Sequence, residues 1–175
     1  MRPDPIAVIG AGLIGSAWAF GFARAGHPVT LWDQWPEAAQ AAHARVTEIA
    51  TDMQAAGLLD GQTPAQVAAR VTLAPDLETC VKNALHVQEN VSENVDVKRA
   101  VFAALDAAAL PDAVLASSTS ALLPSSFTET LKGRARCLVA HPINPPSLIP
   151  AVEIVPAPWT GATAMDRCAA TMAGI

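Results

Sequence analysis

Three polar side chains of the sequence have the types and the order needed to move a proton at a hydroxyl-bearing carbon. His141 follows the apolar run 137–140, and an imidazole with an unperturbed pKa of about 6.5 exchanges protons near neutral pH. Glu153 lies in the apolar run 152–155, and its carboxylate could orient that imidazole and stabilise its cation. Ser120 could donate a hydrogen bond to a substrate oxygen. Together they could act on an alcohol, with His141 taking the hydroxyl proton; oxidation would also require a cofactor that accepts the hydride leaving the same carbon.

Each of these side chains also has a plain structural interpretation. A single histidine after a strand is commonly a hydrogen-bonded loop residue, and Glu153 could be a charge on an edge strand. The hydroxyl run 117–120 could be a loop or a helix cap. Spacing alone leaves the catalytic and the structural interpretations open.

A cofactor for such a reaction is predicted near the N-terminus, at IAVIGAGLIG. The apolar run 6–9 indicates a strand, and the glycine turn after it opens a helical pattern. In this motif the first glycine allows the tight turn, the second admits a pyrophosphate, and the third lets the helix pack closely on the strand. The free N–H groups and the dipole at the helix N-terminus favour an anion. The predicted cofactor contacts here are Gly10, Gly12, Leu13, Ile14 and Gly15.

A carboxylate for the cofactor's ribose is predicted at the end of the second strand. Asp33 follows the apolar segment 28–32 and lies 23 residues after Gly10. A carboxylate there accepts hydrogen bonds from both ribose hydroxyls and repels a 2′-phosphate. The next residues, Gln34 and Trp35, offer no cation, so the sequence favours NAD over NADP. The alternative is a glycine-rich turn with an unrelated surface aspartate.

Strands that alternate with helices predict an α/β fold, a Rossmann-type doubly wound and mostly parallel sheet. The connection between the second and third strands is long and helical. Strands are expected at 6–9, 28–32, 71–73, 85–88, 114–117, 137–140 and 152–155, and helices at 37–56, 64–69, 76–80, 94–109, 124–131 and 161–174. Because ligands bind beyond the carboxyl ends of such strands, we expect Asp33, Glu89, Ser118, Ser120 and His141 at one edge. Glu89 could instead be a solvated strand end.

Composition limits the classes of partner. The 175 residues are 51% hydrophobic and 15% charged, as expected for one globular domain, 1–175. A net charge of −5 without a basic run argues against nucleic acid or an anionic membrane as a partner. No apolar run approaches the roughly 20 residues that span a bilayer, and the N-terminus does not resemble a signal peptide. Cys80, Cys137 and Cys168 suggest neither disulfides nor a metal site, and a cytoplasmic location is expected.

The ordered motifs GAGLIG, QENVSEN, SSTSALLPS, AHPINPP and IPAVEIVP resemble the L-3-hydroxyacyl-CoA dehydrogenase superfamily. The branch of lambda-crystallin and L-gulonate 3-dehydrogenase-like proteins is the most similar. The resemblance covers essentially the whole chain and implies an NAD-dependent oxidoreductase. It implies that His141 is the general base, that Glu153 is its partner 12 residues later, and that Ser120 and Asn144 complete the catalytic set. It further implies cofactor contacts at Glu89, near the ribose and nicotinamide end, and at Lys98; Ser118 is added from its place at the strand end.

Members of this superfamily continue into a helical C-terminal domain that supplies another active-site asparagine and most of a dimer interface. The chain therefore resembles the cofactor domain alone, for which weak or no turnover is expected, with a homodimer expected for the full-length protein. The acyl-CoA branch typically has an aromatic residue after the catalytic histidine, where this sequence has Pro142. That difference favours a small hydroxy acid such as L-gulonate, with carnitine-type enzymes sharing part of the pattern. A 3-hydroxyacyl-CoA substrate and a non-catalytic, crystallin-like NAD-binding protein remain alternatives.

Overall fold

A seven-stranded sheet with helices on both faces forms the protein, as seen in a computed structural model that describes residues 3–175. The strands are β1 (Ile6–Ile9), β2 (Val29–Trp32), β3 (Val71–Leu73), β4 (His86–Glu89), β5 (Val114–Ser117), β6 (Cys137–Pro142) and β7 (Val152–Pro156). The helices are α1 (Leu13–Arg24), α2 (Pro36–Ala55), α3 (Pro64–Ala68), α4 (Leu77–Val81), α5 (Val95–Ala108), α6 (Ser125–Thr128) and α7 (Ala162–Ala173), with a 3₁₀ turn at Arg134–Arg136.

The strand order is β3-β2-β1-β4-β5-β6-β7, and every neighbouring pair is parallel except β6 and β7. The chain winds outward from β1 in both directions, so the order reverses between β1 and β4. In open α/β sheets the ligand crevice lies at such a reversal, beyond the carboxyl ends of the strands. The predicted Rossmann-type fold is confirmed, including the helical connection, α2 and α3, between β2 and β3.

The core forms two layers because successive side chains of a strand point to opposite faces. In β1, Ile6 and Val8 pack into the layer with α1, α2, α3 and α7, whereas Ala7 and Ile9 pack into the layer with α4, α5 and α6. All four residues are buried, which explains why β1 is a continuous apolar run rather than an alternating one.

Several helix starts follow their local sequence signals. Thr63 forms a reciprocal capping box with Gln66 at α3, and Asn94 accepts hydrogen bonds from the N–H groups of Asp96 and Val97 at α5. Among the tryptophans, Trp18 lies in the core. Trp35, which directly precedes α2, is 60% exposed.

The predicted end of β6, at residue 140, is wrong. The strand runs through Pro142, so His141 lies within it rather than after it. The reason is the antiparallel partner β7, whose register places Glu153 directly opposite His141. The predicted helix 124–131 likewise shortens to α6. Within residues 3–175, helices long and apolar enough to cross a membrane are absent.

Candidate active site

The glycine turn after β1 brings the start of α1 against the end of the strand. Gly10 has a φ of +89°, and a β-carbon on Gly15 would lie 1.9 Å from the Gly10 carbonyl oxygen. A side chain at either position would collide with backbone. A β-carbon on Gly12, by contrast, would have no heavy atom of the described residues within 4 Å. Gly10 and Gly15 are therefore required by the fold, whereas Gly12 borders open space.

That open space adjoins the N-terminus of α1, where Gly12 precedes the first helical residue, Leu13. The first N–H groups of a helix have no intrahelical partner, and Gly12 has no side chain that could cap them. An anionic group can therefore approach the N–H groups at Leu13 and Ile14 with the helix dipole in its favour. These features fit the pyrophosphate of a dinucleotide.

Asp33 lies at the carboxyl end of β2, beside the glycine turn. Its Oδ2 atom accepts a hydrogen bond from the Ala11 N–H at 2.7 Å, and its Oδ1 atom accepts one from the Trp35 N–H at 3.0 Å. These two bonds hold the carboxylate between the glycine turn and the start of α2. The position suits the predicted contact with a ribose next to the pyrophosphate.

His141 and Glu153 form a hydrogen-bonded pair across β6 and β7. The distance from His141 Nδ1 to Glu153 Oε2 is 2.8 Å, and the two side chains are 22% and 64% exposed. A carboxylate oxygen accepts, so the proton of the neutral imidazole lies on Nδ1 and the lone pair of Nε2 is left for a substrate. The pair has the geometry of an oriented general base.

The pair opens into a small pocket of about 100 Å³ that also contains Ser120. The pocket is lined by Thr119, Ser120, Ala121, Leu122, Leu123, Pro124, Val139, His141, Glu153 and Val155. The structure thus brings together the three side chains predicted to act on the substrate. Asn144 is exposed in the loop after β6, and the described residues that line this pocket do not include it.

Glu93 supports this pocket, although the sequence analysis did not select it. Its Oε1 atom accepts hydrogen bonds from the Thr119 hydroxyl and from the N–H groups of Ser120, at 3.2 Å, and Ala121, at 3.0 Å. Partial burial alone would raise the pKa of the Glu93 carboxyl, but these bonds and the charge of Lys98 lower it below its ordinary value. The signal was available in QENVSEN, because a second carboxylate follows β4 just before the α5 cap.

Glu89 and Lys98, predicted as cofactor contacts, are engaged with each other. The Lys98 ammonium donates to the Glu89 carboxylate at 2.9 and 3.0 Å, and both side chains are at most 1% exposed. Glu89 also accepts from the Ser117 hydroxyl and the Val91 N–H. Burial raises the pKa of the Glu89 carboxyl, while Lys98 and the hydrogen bonds favour its charged form. The alternative of a solvated strand end is wrong, and the cofactor contacts stay a prediction.

Ser118, the remaining predicted cofactor contact, has its hydroxyl engaged inside the protein. It accepts hydrogen bonds from Trp18 Nε1 and Gln88 Nε2 and donates to Asn90 Oδ1. Its direct contact with a cofactor also stays a prediction.

Comparison with known proteins places these features in a family context. A profile described as "3-hydroxyacyl-CoA dehydrogenase, NAD binding domain" matches residues 5–175. The lambda-crystallin homolog of Bos taurus is 42% identical over 171 residues, covering 97% of this chain and 53% of that protein. L-carnitine dehydrogenase of Pseudomonas putida is 39% identical over 160 residues, covering 91% of this chain and 49% of that protein. The chain spans about half the length of these curated relatives.

Solved structures agree with this placement. FadB2 of M. tuberculosis superposes with a TM-score of 0.92 at 30% identity, covering 99% of this chain and 61% of that chain. The 3-hydroxybutyryl-CoA dehydrogenase of Escherichia coli K12 gives a TM-score of 0.91 at 27% identity, covering 99% of this chain and 37% of that chain.

Separate replacement of Gly15 and Gly12 distinguishes an effect on folding from an effect on cofactor binding. We expect Gly15→Ala to destabilise the protein by at least about 1–3 kcal/mol, because the added carbon collides with the Gly10 carbonyl. Gly12→Ala should lower the free energy of unfolding by no more than about 1 kcal/mol, because a glycine N-cap is lost. It should nevertheless weaken NADH binding by at least tenfold, which corresponds to about 1.4 kcal/mol. Chemical denaturation and NADH fluorescence titration measure the two effects. Unchanged NADH affinity in Gly12→Ala would contradict the assignment of the open space beside Gly12 to the cofactor's pyrophosphate.

Removing the buried ammonium tests the ion pair. Lys98→Met leaves the Glu89 carboxylate buried without its partner, so we expect a loss of about 3–5 kcal/mol at pH 7.5. In this variant, burial favours the protonated Glu89 carboxyl, so its pKa in the folded state exceeds its value of about 4.3 in the unfolded state. The stability of the variant therefore falls as the pH rises from the unfolded-state pKa to the folded-state pKa. The loss of unfolding free energy, measured by urea denaturation, should therefore be smaller at pH 4.5 than at pH 7.5.

The double variant Glu89→Gln/Lys98→Met is the matched control, because it removes both charges. It should recover at least half of the lost stability and remove the added pH dependence. A single-variant loss that is equal at both pH values would show that the charge of Glu89 is not its cause.

Proposed function

The chain belongs to the 3-hydroxyacyl-CoA dehydrogenase family through its NAD-binding domain, and we propose that it serves an enzyme that oxidises the 3-hydroxyl of a small hydroxy acid. The observation that carries the proposal is the His141–Glu153 pair, with 2.8 Å between Nδ1 and Oε2, in one pocket with Ser120. In the full-length protein, the chain would supply the cofactor site and the proton-transfer groups. A cytoplasmic location and a homodimer stay predictions.

The residues that would hold NAD fit that group. The space at Gly12 and the N–H groups at Leu13 and Ile14 suit its pyrophosphate, and Asp33 suits a ribose without a 2′-phosphate. Bound NAD supplies a nicotinamide that accepts the hydride.

The protein's own part in the reaction is proton transfer and orientation. His141 Nε2 takes the proton of the substrate hydroxyl, and the imidazole becomes a cation. The Glu153 carboxylate, hydrogen-bonded to Nδ1, stabilises that cation and keeps the ring oriented. Ser120 hydrogen-bonds the substrate oxygen, which limits the motion of the reacting group.

A small polar substrate, L-gulonate or a similar 3-hydroxy acid, is the first candidate. Pro142 follows the histidine where the acyl-CoA branch typically has an aromatic residue. The lambda-crystallin and L-carnitine dehydrogenase relatives, at 42% and 39% identity, support this branch. The second candidate, a 3-hydroxyacyl-CoA, is supported by the family description and by the fold neighbours.

Loss of the base tests the proposed chemistry in the protein as its gene encodes it. We expect His141→Ala to lower kcat for hydroxy acid oxidation by about 100-fold or more, because the hydroxyl proton loses its acceptor. The Kd for NADH should stay within about twofold, since the imidazole faces the substrate pocket. NADH absorbance and fluorescence titration measure the two quantities.

His27→Ala is the matched control, since His27 lies before β2 at the opposite edge of the sheet and contacts the Asp4 carbonyl. It should keep the parent's kcat. Equal turnover by His141→Ala and His27→Ala would reject His141 as the base.

A substrate panel separates the candidates. L-gulonate and L-carnitine are offered with NAD, and acetoacetyl-CoA is offered with NADH. We expect the highest kcat/KM for L-gulonate, because Pro142 and the relatives favour a small hydroxy acid. Turnover of acetoacetyl-CoA alone would establish the acyl-CoA alternative. NADH binding without turnover of any of the three would point to a different hydroxy acid or to a non-catalytic NAD-binding protein.

A further inference from the structure

A buried chain of hydrogen bonds lies beneath the candidate active site, and Gln88 of β4 is its branch point. The Gln88 side chain is fully buried, and its Nε2 donates to the Ser118 hydroxyl at 2.7 Å and to the Ala140 carbonyl at 3.0 Å. Ala140 directly precedes His141, and Ser118 lies two residues before Ser120. One amide group therefore bridges the two segments that carry the candidate catalytic side chains.

The Ala140 carbonyl needs this donor because the neighbouring strand stops short of it. The ladder between β5 and β6 ends at the pair Ser117–Val139, one residue before Ala140. Ala140 is completely buried, and an unpaired buried carbonyl costs about 1–3 kcal/mol. Gln88 reaches from β4 past the end of β5 to supply the missing N–H.

The orientation of the Gln88 amide is determined by its partners. The Ala140 carbonyl can only accept, so Nε2 faces it, and Oε1 faces His86 Nε2 at 3.0 Å. His86 must therefore carry its proton on Nε2, which leaves Nδ1 buried without a partner among residues 3–175. Burial lowers the pKa of His86 to about 4, so the ring is neutral at pH 7.

The chain of bonds continues from Ser118 toward the glycine turn. The Ser118 hydroxyl also accepts from Trp18 Nε1 at 2.9 Å, so its own proton goes to Asn90 Oδ1 at 2.7 Å. The Asn90 amide in turn donates to the carbonyl of Ile9, the residue before Gly10, at 3.2 Å. The same network thus reaches the ends of β1, β4, β5 and β6.

We propose that Gln88 is a positioning residue that sets the separation between the strand carrying His141 and the loop carrying Ser120. This inference rests on the proposed function. Without the two N–H donors of Gln88, the Ala140 carbonyl and the Ser118 hydroxyl lose the group that connects them. A displacement of about 1 Å between reacting groups can lower a rate by about 100-fold.

The test uses Gln88→Met, which keeps the length and volume of the side chain but removes its donors. In the full-length protein we expect kcat to fall by about 10- to 100-fold. The Kd for NADH should change by less than about twofold, since the glycine turn keeps its own contacts. In isotope-labelled protein, the ¹³C signal of the Ala140 carbonyl and the amide signals of Ser120 and His141 should shift.

Val46→Ala is the matched control for lost stability. Val46 is fully buried in α2, outside this network, and the truncation is expected to cost about 1–3 kcal/mol through a cavity. It should leave kcat and the three signals unchanged. If Gln88→Met does not fold, Gln88→Asn replaces it, because the shorter amide keeps its donors but cannot reach both acceptors.

The outcomes separate the two proposals. A kcat loss in the Gln88 variant no larger than in Val46→Ala, with the Ala140, Ser120 and His141 signals unmoved, overturns the positioning role. A parent protein without turnover contradicts the proposed function. In that case the NMR signals of Ala140, Ser120 and His141 alone test the positioning role of Gln88. Selective shifts of these signals support the role, and unchanged signals overturn it.

Discussion

The contact between Gly15 and the Gly10 carbonyl is the constraint on which the rest of the structure depends. Only two residues without side chains can pass at this distance, and their contact lets α1 start immediately after β1. The N–H groups of the first helical turn are thereby held at the carboxyl edge of the sheet. Asp33, bonded to the Ala11 N–H, is held at the same edge by the same turn. The candidate cofactor site therefore depends on close backbone packing, to which Asp33 adds a carboxylate.

The candidate catalytic pair is positioned in a different way. His141 and Glu153 are opposite residues of an antiparallel ladder, so backbone hydrogen bonds between β6 and β7 determine their separation. Ser120 lies in a loop, where no ladder can position it. Its backbone is held instead by Glu93, and the preceding Ser118 is held by Gln88 and Trp18. One half of the pocket thus relies on strand register and the other half on side-chain hydrogen bonds.

Charged groups at this edge are placed so that their burial is compensated. Taking Glu89 and Lys98 out of water carries a desolvation penalty, which their mutual attraction and the bonds from Ser117 and Val91 offset. The pair joins α5 to the end of β4, beside the loop that carries Glu93. We interpret this ion pair as a connection between α5 and β4 that fixes the geometry of the adjacent pocket, since buried ion pairs by themselves stabilise proteins little.

The sequence by itself determined the features that depend on neighbouring residues. The glycine spacing, the apolar runs, and the caps at Thr63 and Asn94 all act over a few positions, so the strand–turn–helix start, the helix starts and the fold class could be predicted. Family motifs added the pairing of His141 with Glu153. What only the tertiary structure decided depends on residues far apart in the chain. The extension of β6 required its pairing with β7, and the burial of Glu89 required Lys98 and Ser117 around it. The roles of Glu93 and Gln88 arise from contacts across 26 to 52 residues, whose distances no local pattern encodes.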